Sequence, residues 1–158
     1  MKSIRLGIIG TGMALERLHY PALQELGDKY RIVAVCNRTR KDAEDFAKKI
    51  NLDLGNVYDD YNKMLLRDDL DAVDILVPIE LNYSVSEAVA KAGIDFICEK
   101  PMASNMEDAE KYLSLSRKYN VKIMIAENFR YNEENNIIRE LVTSKKIGDI
   151  VYFIRNNI

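Results

Sequence analysis

Two glycines near the start of the chain have the spacing of a phosphate-binding turn. Gly10 and Gly12 follow an apolar run that ends at Ile9, and a helical pattern begins directly after them. Glycine at the first position permits a tight turn, and glycine at the second lets a pyrophosphate approach the backbone N–H groups of the helix N-terminus. The third glycine of this fingerprint is replaced by Leu15, so an ordinary strand–helix loop is the alternative. We favour dinucleotide binding because a strand precedes the turn and a helix follows it.

The residues after the second predicted strand bear on which dinucleotide would bind. A site for NAD places Asp or Glu there to bind the ribose 2′-hydroxyl, whereas this chain has Asn37. A neutral side chain does not repel the 2′-phosphate of NADP, and Arg38 and Arg40 can form charge-assisted hydrogen bonds with it. Thr39 and Asp42 can at the same time cap the following helix. The sequence therefore favours NADP, with NAD as the alternative because asparagine can also bind a hydroxyl.

Strand and helix patterns alternate from residue 3 to residue 125. Short β-branched runs that are apolar on both faces predict parallel strands at residues 3–9, 31–36, 57–58, 72–77, 95–98 and 121–125. Amphipathic helical patterns separate most of them, including an apolar stripe at Ala43, Phe46 and Ala47. This alternation predicts an α/β fold, a doubly wound parallel (Rossmann) sheet with helices on both faces and strand order 3-2-1-4-5-6.

Local signals set the expected geometry of two helices. Pro21 lies inside the first helical pattern, so we expect a kink or a break there. Ser104 and Glu107 have capping-box spacing and predict the start of a helix that ends near residue 119. Helical periodicity places Met106 and Leu113 on the inner face of that helix.

The pattern changes after residue 126, which predicts a boundary between two domains. We assign residues 1–126 to a dinucleotide-binding domain, and residues 127–158 to a linker helix and the first strand of a truncated second domain. The helix is predicted over 133–145 and the strand over 149–155. Alone, that strand would expose unpaired backbone groups and apolar side chains. We therefore predict a homo-oligomer formed through residues 149–156, with disorder of this segment as the alternative.

Composition and charge exclude several classes of function. The chain has 158 residues with 23 basic and 25 acidic side chains, a net charge of −2, and no basic stripe for nucleic acid. No apolar run approaches the roughly 18 residues that suggest a membrane span, and no signal-peptide pattern is present, so we expect a cytoplasmic protein. The single histidine, His19, and two isolated cysteines lack metal-ligand spacing, so no metal site is expected.

A Glu-Lys-Pro motif, Glu99-Lys100-Pro101, follows the fifth predicted strand and precedes a helix. In this position the motif resembles the Gfo/Idh/MocA family, which includes glucose–fructose oxidoreductase and inositol dehydrogenase. The resemblance covers essentially the whole chain, and its ordered segments are the glycine turn and residues 59–61, 71–75, 77–78, 91–93, 128–131 and 147–150. There are two departures. Asn82 lies near a position where relatives often carry histidine, and the chain is expected to stop early in the domain that usually supplies a partner acid–base residue.

The resemblance implies an NAD(P)-dependent oxidoreductase that acts on a hydroxyl or carbonyl group of a sugar, a polyol or a similar small molecule. Its implied catalytic residue is Lys100, placed between nicotinamide and substrate, where an ammonium stabilises the negative charge that develops on the reacting oxygen. The implied cofactor-binding residues are Gly10, Thr11 and Gly12 at the pyrophosphate, Asn37 and Arg38 at the adenosine ribose, Pro78 and Glu99 on the nicotinamide side, and Asn128 and Arg130 in the same crevice. A non-catalytic dinucleotide-binding or redox-sensing module is the alternative function.

Overall fold

The computed structural model describes residues 3–154, and within them six strands form one parallel sheet. The strands are β1 (Ile4–Ile9), β2 (Tyr30–Cys36), β3 (Val57–Tyr58), β4 (Ala72–Ile75), β5 (Asp95–Cys98) and β6 (Ile123–Ile125). Their order across the sheet is β3-β2-β1-β4-β5-β6, and every neighbouring pair is parallel. The predicted doubly wound topology is therefore confirmed.

Helices connect the strands, and the first one changes its type along its length. A π-helical segment (Leu15–His19) leads directly into α1 (Tyr20–Glu25), where Pro21 occupies the first turn. Because proline lacks an N–H, one backbone hydrogen bond is lost at the point where the π-helical segment continues into α1. The irregularity expected near Pro21 is thus present as a π-helical turn before it. The later helices are α2 (Arg40–Lys49), α3 (Tyr61–Met64), α4 (Ile79–Lys91), α5 (Met106–Tyr119) and α6 (Glu133–Thr143).

The apolar core lies on both faces of the sheet. Because successive side chains of a strand point to opposite faces, neighbouring residues of β1 and β2 enter different clusters. Ile8 and Val35 pack in one buried cluster, and Ile9 and Cys36 pack in the other. Coverage of both faces explains why these strands are apolar at nearly every position.

The predicted start and inner face of α5 are wrong by about one residue. The helix is capped by Asn105, whose side-chain oxygen accepts a hydrogen bond from the N–H of Asp108 at 2.9 Å. Its buried side chains are Tyr112 and Leu115, while Met106 and Leu113 are 74% and 73% exposed. One residue along a helix rotates the facing side by about 100°, which is enough to exchange the inner and outer stripes.

Residues 1–126 and 127–158 form two compact units. The second contains a 3₁₀ turn (Asn128–Tyr131) and α6, which ends two residues earlier than predicted. The predicted strand over 149–155 is wrong for residues 149–154, which have no strand structure, and residue 155 lies outside the described residues. Without a neighbouring strand, the backbone groups of such a segment have no ladder to join. Its apolar side chains are exposed, with Val151 at 97% and Tyr152 at 80%.

Among the helices of residues 3–154, none combines the length and the apolar character that crossing a bilayer requires.

Candidate functional site

The glycine turn after β1 has a backbone that only glycine tolerates at its first position. Gly10 has φ +102°, and its N–H donates to the carbonyl oxygen of Cys36 at 2.8 Å. A Cβ atom at Gly10 would collide with the backbone carbonyl of Leu76. The residue is therefore required by the turn itself, because β1, β2 and the end of β4 approach one another closely there.

The second half of the turn faces open space. A Cβ atom built at Gly12 meets no heavy atom within 4 Å. Beside it, Thr11 is only 8% exposed, and its hydroxyl oxygen has no hydrogen-bond partner among the described residues. Buried hydroxyl groups are nearly always hydrogen-bonded, so a ligand that accepts a hydrogen bond fits this position. The turn also precedes a helix, whose N-terminus favours negative charge, and the arrangement therefore fits a phosphate group.

A cavity of about 620 Å³ opens at the carboxyl ends of β1, β2 and β4. It brings together six residues predicted for the cofactor: Gly10, Thr11, Gly12, Asn37, Arg38 and Pro78. Glu99 and Lys100 do not line it and follow β5, the strand next to β4. Asn128 and Arg130 belong to the second compact unit, so their predicted roles stay predictions. The carboxyl ends of parallel strands are where this fold class binds its ligands.

Asn37 connects the two loops that line the cavity. Its side-chain oxygen accepts a hydrogen bond from the N–H of Thr11 at 3.4 Å. Its amide nitrogen donates to the carbonyl oxygen of Thr39 and to the carboxylate of Asp42, both at 3.2 Å. Asn37 therefore fixes the loop after β2 against the glycine turn, in addition to any contact with a ribose.

The two arginines after β2 have different surroundings. Arg40 is held away from the cavity, because its guanidinium donates to Glu44 at 2.8 Å and to the carbonyl oxygen of Val57 at 3.2 Å. Arg38 lines the cavity and is exposed, and no ion pair to it is formed within residues 3–154. Of these two cations, Arg38 is the one that lines the cavity. The cavity also has acidic side chains in its wall, namely Asp42, Asp59 and Asp60.

The Glu99–Lys100–Pro101 turn is held by its neighbours through the backbone. The N–H of Lys100 donates to Glu99 Oε2 at 2.8 Å. Asn82 on α4 is 1% exposed, and its amide nitrogen donates to the carbonyl oxygens of Glu99 at 3.1 Å and Pro101 at 2.8 Å. The ammonium of Lys100 is exposed and forms no ion pair within the described residues, so it is not a partner of Glu99. This arrangement leaves the ammonium available to a ligand.

The structure also reveals a chain of three ionisable side chains that the sequence reading missed. Nδ1 of His19 lies 2.8 Å from the Asp74 carboxylate, and Nε2 lies 3.0 Å from Oε1 of Glu99. Asp74 is on the central strand β4 and is 2% exposed. The signal in the sequence was the acidic residue inside an otherwise apolar strand, because a buried carboxylate needs a partner.

These contacts change the protonation of the histidine. Burial alone would lower the pKa of His19, but the hydrogen bonds and negative charges of Asp74 and Glu99 outweigh it and raise the pKa from 6.5 to about 9. Burial raises the pKa of Asp74, although the hydrogen bond from His19 opposes that effect. His19 therefore carries a positive charge at neutral pH.

We expect the free energy of unfolding to fall by about 2 kcal/mol between pH 6 and pH 8. A histidine whose pKa is raised by folding stabilises the folded state fully below its unfolded pKa of 6.5, and the gain is lost as pH rises towards 9. Urea denaturation at half-unit pH steps measures this effect, stopping at pH 8 because unfolded thiols, with a pKa of about 8.5, ionise increasingly above it. The His19→Gln variant is the control and should give a flat profile. A wild-type profile as flat as that of the variant would show that Asp74 and Glu99 do not raise the pKa of His19.

Residues 3–154 contain no group of three His, Cys, Asp or Glu side chains arranged for a metal ion. Both cysteines are buried and free, and burial raises the pKa of the Cys36 thiol to about 12. A thiol with so high a pKa is a poor nucleophile at neutral pH.

A parallel sheet of this order, with a glycine turn and a cavity at its carboxyl edge, defines a Rossmann-type dinucleotide-binding domain. The chain belongs to the Gfo/Idh/MocA oxidoreductase family, whose NAD-binding Rossmann-fold domain matches residues 4–127.

Several known proteins are similar to this chain. An oxidoreductase structure from Thermotoga maritima has 41% identity and a TM-score of 0.86, over 94% of this chain and 45% of that one. D-glucoside 3-dehydrogenase of Escherichia coli is 29% identical over 93% of this chain and 41% of its own length. A variant of a 3-ketoreductase from Actinomadura kijaniata, in complex with TDP-benzene and NADP, has 25% identity and a TM-score of 0.81, over 94% and 45% of the two chains. The chain thus spans less than half the length of these relatives.

Proposed function

We propose that this chain is the cofactor-binding part of an NAD(P)-dependent oxidoreductase that acts on a hydroxyl or carbonyl group of a sugar, a polyol or a related small molecule. The observation that carries the proposal is the glycine turn, where open space at Gly12 lies beside the buried, unpartnered hydroxyl of Thr11. The sugar-related class is supported by the similarity to D-glucoside 3-dehydrogenase and to the 3-ketoreductase bound to NADP.

Titration calorimetry of the chain with NADP, NADPH, NAD and NADH tests this function. The proposal expects saturable one-to-one binding of at least one of the four, with competition by the others. Adenosine 2′,5′-bisphosphate is a useful additional ligand, because it carries the adenosine end without nicotinamide. A folded chain that binds none of the four dinucleotides contradicts the proposed function.

Lys100 is the proposed catalytic residue. A bound nicotinamide cofactor would supply hydride transfer, during which the oxygen of the reacting alcohol or carbonyl would gain negative charge. The exposed ammonium of Lys100 can donate a hydrogen bond to that oxygen and stabilise the charge. Glu99 is proposed to bind the nicotinamide half of the cofactor, and Pro78 to contact it from the end of β4.

The proposed cofactor preference is NADP over NAD, and it depends on Arg38. This residue lines the cavity with a free guanidinium, while Arg40 is bound to Glu44 and to the backbone. Asp42 opposes the preference, because its carboxylate lies at the same end of the cavity beside Asn37. The NADP proposal therefore requires the attraction of Arg38 for the 2′-phosphate to exceed the repulsion by Asp42.

We expect Arg38→Ala to weaken NADP binding by about tenfold or more and to leave NAD binding nearly unchanged. The change removes a charge-assisted hydrogen bond that only the 2′-phosphate can accept. Arg40→Ala is the matched control and should affect the two cofactors equally, because its guanidinium is engaged elsewhere. Calorimetric dissociation constants of NADP and NAD for both variants measure the effect. Equal affinities in the unmodified chain would contradict the preference.

Further parts of the assignment stay proposals. Asn128 and Arg130 are proposed as cofactor-binding residues. Self-association is proposed through residues 149–156, on the strength of the exposed apolar side chains of Val151, Tyr152 and Phe153. A cytoplasmic location remains an expectation.

A further inference from the structure

His19 links three elements of the fold through a single side chain. It is the last residue of the π-helical segment, Asp74 is on β4, and Glu99 directly follows β5. Both imidazole nitrogens lie within hydrogen-bond distance of a carboxylate oxygen, at 2.8 Å and 3.0 Å. The side chain is 14% exposed, so these contacts are shielded from water.

The position of one proton decides which of the side chains of His19, Asp74 and Glu99 carry a charge. An imidazolium donates from both nitrogens, to Asp74 and to Glu99, and leaves both carboxylates ionised. A neutral imidazole can satisfy the same distances if one of the carboxyl groups holds the proton, either Asp74 donating it to Nδ1 or Glu99 donating it to Nε2. In every arrangement His19 stays hydrogen-bonded to Glu99, and the three groups together carry one net negative charge. The contact with Glu99 is therefore the constant feature.

Glu99 is consequently held at both of its oxygens. Oε1 accepts from His19, and Oε2 accepts from the N–H of Lys100 at 2.8 Å. A carboxylate that is hydrogen-bonded at both oxygens cannot rotate, so the lone pairs that remain for a ligand have a fixed orientation. Lys100 belongs to the same turn, so the orientation of Glu99 also affects the position of the Lys100 ammonium.

We propose that His19 is a positioning residue, which holds the Glu99 carboxylate and the Lys100 turn in the orientation that binds the nicotinamide half of the cofactor. This inference rests on the proposed function, because it assigns a ligand to Glu99. His19 acts through Glu99 and contacts neither cofactor nor substrate. It adds to the binding site a side chain that lies 80 positions from Glu99 in the sequence.

The other charged groups near His19 have partners of their own or point elsewhere. On its own helical segment, Glu16 is paired with Lys49 at 2.6 Å, and Arg17 is exposed. From the sheet, the facing groups are Asp74 of β4 and Glu99 after β5. The pH response of this side chain therefore reports on these two carboxylates.

Two substitutions at His19 separate its two contacts. His19→Gln keeps an N–H donor at the position of Nε2, towards Glu99, whereas His19→Asn keeps one at the position of Nδ1, towards Asp74. Both remove the charge. We expect His19→Asn to weaken NADPH binding by about tenfold and His19→Gln by about threefold or less. Circular dichroism and thermal melting establish that each variant is folded before calorimetry.

Nuclear magnetic resonance provides a measurement that does not depend on a variant folding. The chain has one histidine, so its imidazole signals need no assignment. In the free chain we expect the His19 signal to titrate near pH 9, and saturating NADPH should move the midpoint by about 0.3 pH unit or more, because a ligand on Glu99 changes its charge density. In Gly12→Val, the same addition should leave the midpoint unchanged.

The outcomes distinguish this inference from the proposed function. Tight NADPH binding by the wild-type chain together with an unchanged His19→Asn variant overturns the positioning role alone. An unmoved His19 midpoint in a saturated wild-type chain overturns it as well. Failure of the wild-type chain to bind any dinucleotide overturns the proposed function itself. Selective weakening in His19→Asn, partial rescue in His19→Gln and a shifted midpoint support the inference.

Discussion

Gly12→Val should abolish binding of NADP(H) and NAD(H) while leaving the fold intact. No heavy atom lies within 4 Å of a Cβ at this position, so the free chain accommodates the larger side chain without strain. The same open space lies beside Thr11, where the pyrophosphate is proposed to bind, so the valine would exclude it. We expect affinity to fall by about 100-fold or more. Calorimetry measures the binding, and far-ultraviolet circular dichroism and the melting temperature measure the fold.

Gly10→Ala is the matched control, with the opposite pattern. Its Cβ would meet the backbone carbonyl of Leu76, and its φ of +102° disfavours any side chain. We expect this variant to lose about 3 kcal/mol or more of stability, because both backbone strain and a collision contribute. A Gly12→Val chain that binds NADPH as the wild type does would show that the turn is only structural. A Gly12→Val chain that is as unstable as Gly10→Ala would contradict the open space.

The sheet could be predicted from the sequence because its strands have a simple physical signature. A strand covered on both faces by helices must be apolar throughout, and short β-branched runs bounded by polar residues are easily recognised. Val57–Tyr58 and Asp95–Cys98 were predicted with their observed limits. The strand order was predicted from the doubly wound fold class, which the alternation of strands and helices indicated without any side-chain detail.

Features that depend on tertiary contacts were predicted less well. In α5, Tyr112 is buried because its hydroxyl is hydrogen-bonded to Ser86 of α4 at 2.8 Å. Helical periodicity alone does not reveal that partner, so the sequence pattern predicted Leu113 instead of Tyr112 for the inner face. Residues 149–154 alternate like a strand, yet a strand exists only where another strand pairs with it.

The residues of the candidate site also divide into those marked by a local sequence signal and those brought together only by the fold. The glycine turn and Asn37 were identified because each is a local signal at the end of a strand. The chain of His19, Asp74 and Glu99 was missed, because its members are 55 and 80 positions apart in the sequence. A carboxylate within the apolar run of β4 indicated that a partner was needed, but only the fold identifies which side chain supplies it.

Asn82 is a second residue whose importance appears only in the structure. The family resemblance in the sequence predicted a histidine near this position, so Asn82 was interpreted as the loss of a titratable group. In the fold it is buried, and its amide nitrogen holds the carbonyl oxygens of Glu99 and Pro101 on either side of Lys100. Its own side-chain oxygen has no hydrogen-bond partner among the described residues. The amide nitrogen is therefore the part of Asn82 that stabilises the turn.

Asn82→Leu should lower the free energy of unfolding by about 3 kcal/mol, because two partly buried carbonyl oxygens lose their donor while the volume of the side chain is nearly kept. In a chain of this size the melting temperature should fall by roughly 6–12 °C. Ser84→Ala on the same helix is the control: its hydroxyl is exposed and donates to the carbonyl oxygen of Leu81, so we expect less than about 0.5 kcal/mol. Thermal and urea denaturation of the two variants decide the matter. If Asn82→Leu were as stable as the wild type, the amide would not be holding the turn, and the ammonium of Lys100 would have to be positioned by Glu99 alone.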